Sequence, residues 1–426
     1  MKSALFTERA KAYFPEEQEA FFKALEEPAR DGFFLNTQKG SEEELLKFCD
    51  FPYEPYPRNP HVWYHHCEKI GRHPTFELGL LYGQEPSASL PAELPDLSGV
   101  RFAADLCAAP GGKSCGLLRR LPQGSFLLAN DISYKRAEIL SSNIERMGFG
   151  NALVTSLAPK EIARRLPESA DLVILDAPCS GEGMIRKDDR ILQEYSLANI
   201  EACARRQQEI FEAAYALCAP GGQILYSTCT FAPEEDEENV SFFLEKYPDL
   251  CSETLPNGKK SWKLSFQHGS EGQFMALFRK EGTPYKKLPL RKEDKCPEAE
   301  RFLKEESDLQ DFHLYRNKER IFLSRTPLPE ISLPCLRSGI YAGDLQKGNF
   351  LPAHCLYRAN DLQGHFRKSY EVSKEEYEQI LKGLEIPFTG PQGYVSLTYG
   401  GFPLGYGKSV QGRLKNKYPK GLRRMV

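Results

Sequence analysis

Two loops of this 426-residue chain place a cysteine just past an apolar run. "DAPCSGEG" (176–183) carries Cys179 and "YSTCTF" (226–231) carries Cys229. Both read as the carboxyl end of a buried strand entering a loop, where open α/β sheets keep their chemistry. A thiolate is a nucleophile, and an ordinary thiol ionises near ~8.5. Cys203 and Cys218, on a long helical pattern, read instead as small buried apolar residues. Upstream, "DLCAAPGGKS" (105–114) sets Gly111 and Gly112 before a helix, so backbone amides can approach a ligand and the helix start favours its anionic group. The spacing is neither that of a phosphate-binding P-loop nor that of the G-x-G-x-x-G turn. The next apolar run ends in Asp131, where an acid can bind a ribose diol. Together these point to a nucleoside-bearing cofactor; the plainer alternative is a turn and a capping aspartate. For the acceptor, a thiol suits the unactivated C5 of a pyrimidine. Addition of a thiolate to C6 makes C5 able to take a methyl group, and Asp176 could bond the Watson–Crick edge of the base.

These loops need a sheet to hold them. Apolar runs at 100–106, 125–131, 151–156, 171–177 and 223–228 read as strands. Helical patterns at 113–121, 134–148, 159–166 and 197–222 alternate with them, the last stopping at Gly221-Gly222. Such alternation predicts a largely parallel, Rossmann-like sheet with helices on both faces. "PEEDEENVSFFLEKY" puts acids in a first helical turn ahead of Val240, Phe243, Leu244 and Tyr247, a helix start rather than a metal site. "WKLSF" and "GQFMALFRK" read as a closing antiparallel pair. The expected organisation is an α+β lead-in over 1–95, a catalytic domain over 96–280, a charged, Pro-containing linker over 281–306, and a mostly-β region over 307–426.

Composition excludes several classes. At 41% hydrophobic and 27% charged, the chain has an ordinary globular make-up, without an apolar leader or a membrane-length apolar run. Its 12 cysteines show no C-x-x-C pair and no zinc spacing, and read as reduced thiols of a cytoplasmic protein that needs no metal. The net charge of −3 argues against bulk nucleic-acid binding, but residues 405–426 hold seven basic residues and no acid, leaving −10 for the rest. Lys408, Arg413, Lys415, Lys417, Lys420, Arg423 and Arg424 lie there, with Tyr406 and Tyr418 as expected stacking faces. By charge alone, a nucleic-acid patch and a solvated terminus stay equally open.

"DLCAAPGGKS", "DAPCSGEG" and "YSTCTFAPEEDEENV" closely resemble the RNA cytosine-C5 methyltransferases of the Sun/Fmu family. "FFLNTQK" (33–39) and "GLLYGQEPSAS" (79–89) look like its N-terminal segments. "GGFPLGYGKSVQGRLKNKYPKGLR" (400–423) is similar to the C-terminal module of its bacterial RsmF-like branch, which acts on small-subunit ribosomal RNA. The resemblance implies S-adenosylmethionine as cofactor, bound by Ala108, Ala109, Pro110, Gly111, Gly112, Lys113 and Ser114, with Asp131 on the ribose and Arg136 nearby. It implies Asp176 between cofactor and base, Lys113 facing the cytosine, Cys229 as nucleophile and Cys179 assisting release. A PUA-like RNA-binding fold is implied after the catalytic domain, with ribosomal RNA or the small subunit as partner; a monomer is expected, though the sequence leaves oligomeric state open. The chain departs from the family pattern twice. The third strand ends in Ser156-Leu157 instead of an adenine-contacting acid or amide, and Phe34 stands where an arginine usually precedes x-N-T. Three other readings stand beside this one. A DNA cytosine-C5 methyltransferase would put its nucleophile in the Pro-Cys loop and leave "YSTCT" unexplained; an idle RNA-binding factor would not need both thiols and Lys113; a small-molecule methyltransferase would not need the basic tail.

Overall fold

The computed structural model describes residues 4–283 and 288–424. Its centre is a nine-stranded sheet. Strands β1 (Phe102–Asp105), β2 (Phe126–Asn130), β3 (Ala152–Thr155), β4 (Ala170–Asp176) and β5 (Cys218–Thr228) run parallel in the spatial order 5-4-1-2-3. The chain reverses direction between β1 and β4, so their carboxyl ends open a crevice, the usual ligand position in such sheets. The strands are largely apolar because both faces are covered, with polar residues mainly at their carboxyl ends. Leu127, Val154, Leu172 and Ile174 belong to one core, and Leu128, Leu153, Val173 and Leu175 to the other. Helices α1 (Gly112–Leu118), α2 (Tyr134–Met147), α3 (Pro159–Arg165) and α4 (Leu197–Leu217) make the crossovers, and α5 (Glu237–Lys246) follows β5.

Beyond β5, the sheet continues antiparallel through β8 (Gln273–Lys280), which pairs with both β6 (Leu250–Ser252) and β7 (Ser261–Leu264). At the far edge, β9 (Cys335–Ser338) adds antiparallel to β3. A segment of the C-terminal region thus closes an edge of the catalytic sheet that would otherwise offer free backbone groups.

Several local expectations change. Helix α4 ends at Leu217, not at Gly221-Gly222: Cys218 is already extended and pairs with Ala170, and Ala219–Gly222 bulge out before Gln223 joins Leu172. Cys218 is therefore a buried strand residue, while Cys203 is buried on α4 as expected. Of the acids before α5, Glu237 and Glu238 occupy its first turn, but Glu235 and Asp236 precede it and are fully buried. Val240, Phe243, Leu244 and Tyr247 do face the core. In the stretch read as a linker, residues 284–287 lie outside the described residues, and Pro297–Glu306 forms a helix. Its Ala299, Phe302 and Leu303 sit at helical spacing and are buried, a stripe masked by the surrounding charges.

The N-terminal region has helices Ala4–Tyr13 and Gln18–Leu25 and an antiparallel sheet in the order 53–56, 59–65, 32–35, 81–83. Phe34 is in this sheet, buried and stacked on Tyr82 at 5.4 Å, so it is a packing residue. The C-terminal region contains a four-stranded antiparallel sheet (313–352) and a five-stranded sheet (369–416). No helix among the described residues is long and apolar enough to cross a membrane.

Candidate active site

The carboxyl ends of β1, β2, β4 and β5 surround a cavity of about 710 Å³. Asp131, Ile132, Arg136 and Pro159 line one part of it, and Asp176, Pro178, Cys179 and Cys229 another. One buried amide organises the first part. The Nδ2 of Asn130 donates to the Leu106 and Leu157 carbonyls, while its Oδ1 accepts from Thr155 Oγ1 and the Leu157 amide. Asp131 follows, 2% exposed; its Oδ1 accepts from the Ser133 amide at 2.9 Å, and its Oδ2 lies 3.4 Å from Arg136 Nη1. Ile132, beside it, is 70% exposed, an apolar side chain left uncovered at the cavity. Ser156 does not line the cavity: its hydroxyl turns to the Ile132 carbonyl at 3.3 Å.

The glycine loop joins β1 to α1. Gly111 has φ +114°, left-handed backbone that favours glycine, and a Cβ on Gly112 would lie 2.5 Å from the Gln84 side chain. The Ala108 amide donates to the Asn130 carbonyl, the Ala109 carbonyl accepts from Arg136 Nη2 at 2.6 Å, and the Pro110 carbonyl accepts from Asn143. Ser114 turns inward and donates to Asp105 Oδ2 at 2.7 Å. Burial pushes the Asp105 carboxyl up to about 7. Of the loop residues 108–114, Ala109 alone lines the cavity.

The second part is built around charge. Lys113 Nζ, nearly buried, sits 2.9 Å from Asp176 Oδ2, and Ser227 Oγ donates to Asp176 Oδ1 at 2.8 Å. The two sulfurs are 3.0 Å apart, with neither cysteine in a disulfide, and the Cys229 amide points at Cys179 Sγ at 3.3 Å. The hydrogen bond with Cys229, reinforced by burial, pushes the Cys179 thiol well above its ordinary value.

Other residues hold these loops and carry no catalytic pattern of their own. Glu235, pushed up to about 7 by burial, accepts from the Ser180 amide at 3.0 Å and from Gln207 Nε2 at 2.7 Å. Glu182 is fully buried between the thiol loops. A buried Glu or Gln on an otherwise apolar helix face was the available signal, and Gln207 on α4 fits it. Among the described residues, no group of three His, Cys, Asp or Glu side chains could hold a metal ion.

Three family models match in sequence order. They are the N-terminal domain of 16S rRNA methyltransferase RsmF (residues 3–86), 16S rRNA methyltransferase RsmB/F (98–281) and the Methyltransferase RsmF PUA domain (367–424). A ribosomal RNA small subunit methyltransferase F from Cronobacter sakazakii is 30% identical over 94% of this chain and 92% of its own. The chain belongs to this family. A Klebsiella pneumoniae member is 29% identical over the same shares. A solved methyltransferase homolog protein from Pyrococcus horikoshii is 26% identical, with a TM-score of 0.57 over 65% of this chain and 94% of its own. In the RsmF family frame, the PUA match covers the five-stranded sheet and leaves the 313–352 sheet outside it.

The basic residues of that PUA region differ in their surroundings. Lys415, Lys417 and Lys420 are exposed, and Lys408 lies 5.0 Å over the Tyr394 ring. Arg413 pairs with Glu385 at 3.3 Å, Arg423 donates to the Tyr418 carbonyl, and Arg424 reaches Glu77 at 3.8 Å. Tyr406 and Tyr418 are buried, not stacking faces. Tyr406 stacks on Tyr357 at 4.6 Å and donates to the Pro352 carbonyl; Tyr418 donates to Glu77 Oε2 at 3.0 Å. The strand Phe402–Val410 is central to its sheet, so its alternate residues must face a core.

Proposed function

We propose that this protein transfers a methyl group from S-adenosylmethionine to C5 of a cytosine in small-subunit (16S) ribosomal RNA, through a Cys229–C6 adduct. The observation carrying this reading is the pair of thiols 3.0 Å apart at one cavity with Asp131. The donor set suits the cofactor. Asp131 offers carboxylate oxygens to a ribose diol, Ile132 and Pro159 give an adenine an apolar bed, and Arg136 braces both Asp131 and the glycine loop. Bound there, S-adenosylmethionine supplies an electrophilic methyl group.

The chain's own residues do the rest. The Cys229 thiolate donates an electron pair to C6, and the C5=C6 pair moves toward C5. Asp176, held by Ser227 and Lys113, accepts from the exocyclic amine of the base, and Lys113 offers positive charge to the electron-rich adduct. C5 would take the methyl group that the bound cofactor supplies, its electron pair going into the new C–C bond. Cys179 Sγ, 3.0 Å from Cys229 Sγ in the free protein, lies beside the adduct. With its own proton released to water, the Cys179 thiolate takes the C5 proton and holds it as a thiol. The C6–S bond breaks, its electrons returning to Cys229 and the C5=C6 bond reforming.

One denaturing gel with labelled RNA and cofactor tests the assignment. Cys229→Ala is expected to lose methyl transfer and adduct together. Cys179→Ala is expected to attack and methylate but release slowly, giving a shifted RNA–protein band. A shifted band from Cys229→Ala alone overturns the assignment in favour of the Pro-Cys-loop mechanism. Modest losses without a band would mean that both cysteines only fill space.

A further inference from the structure

Glu182 lies in the Cys179 loop, three residues past the thiol, and is fully buried. Its Oε2 accepts from the Thr230 hydroxyl at 3.2 Å and the Phe231 amide at 3.0 Å, the two residues that follow Cys229. Its Oε1 accepts from Tyr195 at 2.6 Å and from Tyr13, the last residue of the N-terminal helix, at 3.0 Å. Arg9 Nε donates to the Tyr13 oxygen at 2.8 Å, so the Tyr13 proton is directed at Glu182, and Arg9 itself pairs with Glu234 just beyond the Cys229 loop. The same two loops are stitched again beside the carboxylate. The Gly183 amide donates to the Cys229 carbonyl at 2.9 Å, and Ser180 and Thr230 hydroxyls meet at 2.8 Å.

We infer that Glu182 is a positioning residue that sets the Cys179–Cys229 spacing, with Tyr13 coupling the N-terminal helix to that spacing. Four donors from three separate stretches of chain end on one carboxylate, and two of them belong to the residues after the attacking thiol. A buried carboxylate that loses such donors retains its desolvation cost, so the geometry is self-enforcing. Neither Glu182 nor Tyr13 lines the cavity, and neither reaches a reacting atom. The inference rests on the proposed two-thiol chemistry for its effect on turnover, but the spacing itself is readable without it.

The test therefore has two readouts. Diamide oxidises two neighbouring thiols to a disulfide, its azo bond taking up both hydrogens, and the rate of Cys179–Cys229 closure reports their spacing in the free protein. Glu182→Gln turns an amide NH2 toward one pair of donors. It is expected to slow closure and to lower kcat on small-subunit RNA by roughly tenfold or more each, the size of one lost hydrogen bond to a charged group. Calorimetric binding of S-adenosylmethionine and the KM for RNA should stay within about twofold, because the cavity lining is untouched. Glu182→Asp should recover part of both rates, and Tyr13→Phe, which removes one donor of four, should give a smaller loss. A folded Glu182→Gln with wild-type closure and kcat overturns the inference. If that variant does not fold, Thr230→Val and Tyr13→Phe decide, and unchanged closure in both overturns it as well. Slowed closure together with methyl transfer by Cys229→Ala would leave the positioning role standing and remove the nucleophile assignment instead.

Discussion

The mouth of the catalytic sheet and the basic C-terminal sheet use polar residues in opposite ways. At the mouth, Asp176, Asp131 and Lys113 meet partners within a few ångströms, and both sulfurs face each other; the chemistry sits at the ends of β2, β4 and β5 and at the start of α1. In the C-terminal sheet the tyrosines have gone into the core, Arg413 and Arg424 meet acids from other segments, and Lys415, Lys417 and Lys420 are left to solvent. A loop residue next to a strand end has little choice of direction. A residue within a strand has two, and only the packing of the sheet chooses between them.

The largest expected effect sharpens this contrast. Tyr406→Ala removes a buried ring stacked on Tyr357 together with its bond to Pro352, and should cost about 3–5 kcal/mol of stability. Denaturant melts measure that loss; a stable variant with weakened RNA binding would mean that Tyr406 is a stacking face after all.

Burial at the mouth makes the next prediction one of pH. Glu235 ionises at about 7 in the folded protein, against an ordinary value near ~4.5 when unfolded. Between those values the folded state holds a proton that the unfolded state has lost. Its share of stability is therefore full below ~4.5, falls as pH rises to about 7, and stays lost above it. Glu235→Gln should flatten that fall, being more stable than the parent by up to ~3 kcal/mol at pH 8 and little changed at pH 4.5. Asp105, also pushed up to about 7, keeps its own share of the slope in both proteins. An equal pH dependence in melts of the two proteins would remove the assignment to Glu235.

Asp131→Ala should weaken S-adenosylmethionine binding by about 1–3 kcal/mol, through loss of hydrogen bonds to a charged group. Full-strength binding in calorimetry would place the ribose elsewhere. The smallest effect belongs to the tail. Deleting residues 405–426 would cut away most of the central strand Phe402–Val410, so charge is better changed than length. Replacing Lys415, Lys417 and Lys420 with Gln should leave cofactor affinity alone and make the log–log salt slope of RNA binding shallower by roughly 0.7–0.9 for each phosphate that is no longer neutralised. An unchanged slope would mean that these lysines are only solvated, and the contrast between the regions would end there.

Much of the catalytic half could be read in advance. Apolar runs alternating with helical patterns located the five parallel strands, and the thiols, Asp131 and Asp176 fell at strand ends as expected, because those signals span a few consecutive residues. What misled was also local. Gly221-Gly222 looked like a helix stop, but pairing with β4 starts the strand at Cys218. The charge density of 281–306 hid a helix whose apolar stripe shows only once Phe302 and Leu303 meet the C-terminal core.

From its sequence alone this protein determined its alternating sheet, its crevice and the residue types at the crevice, since hydrophobic period and loop chemistry are properties of neighbouring residues. Tertiary structure alone decided that two sulfurs from loops fifty residues apart lie 3.0 Å from each other, that Glu182 and Gln207 tie those loops together, and that Tyr406 and Tyr418 are core. Each of those depends on which distant segments share a small volume, and no spacing along the chain encodes that.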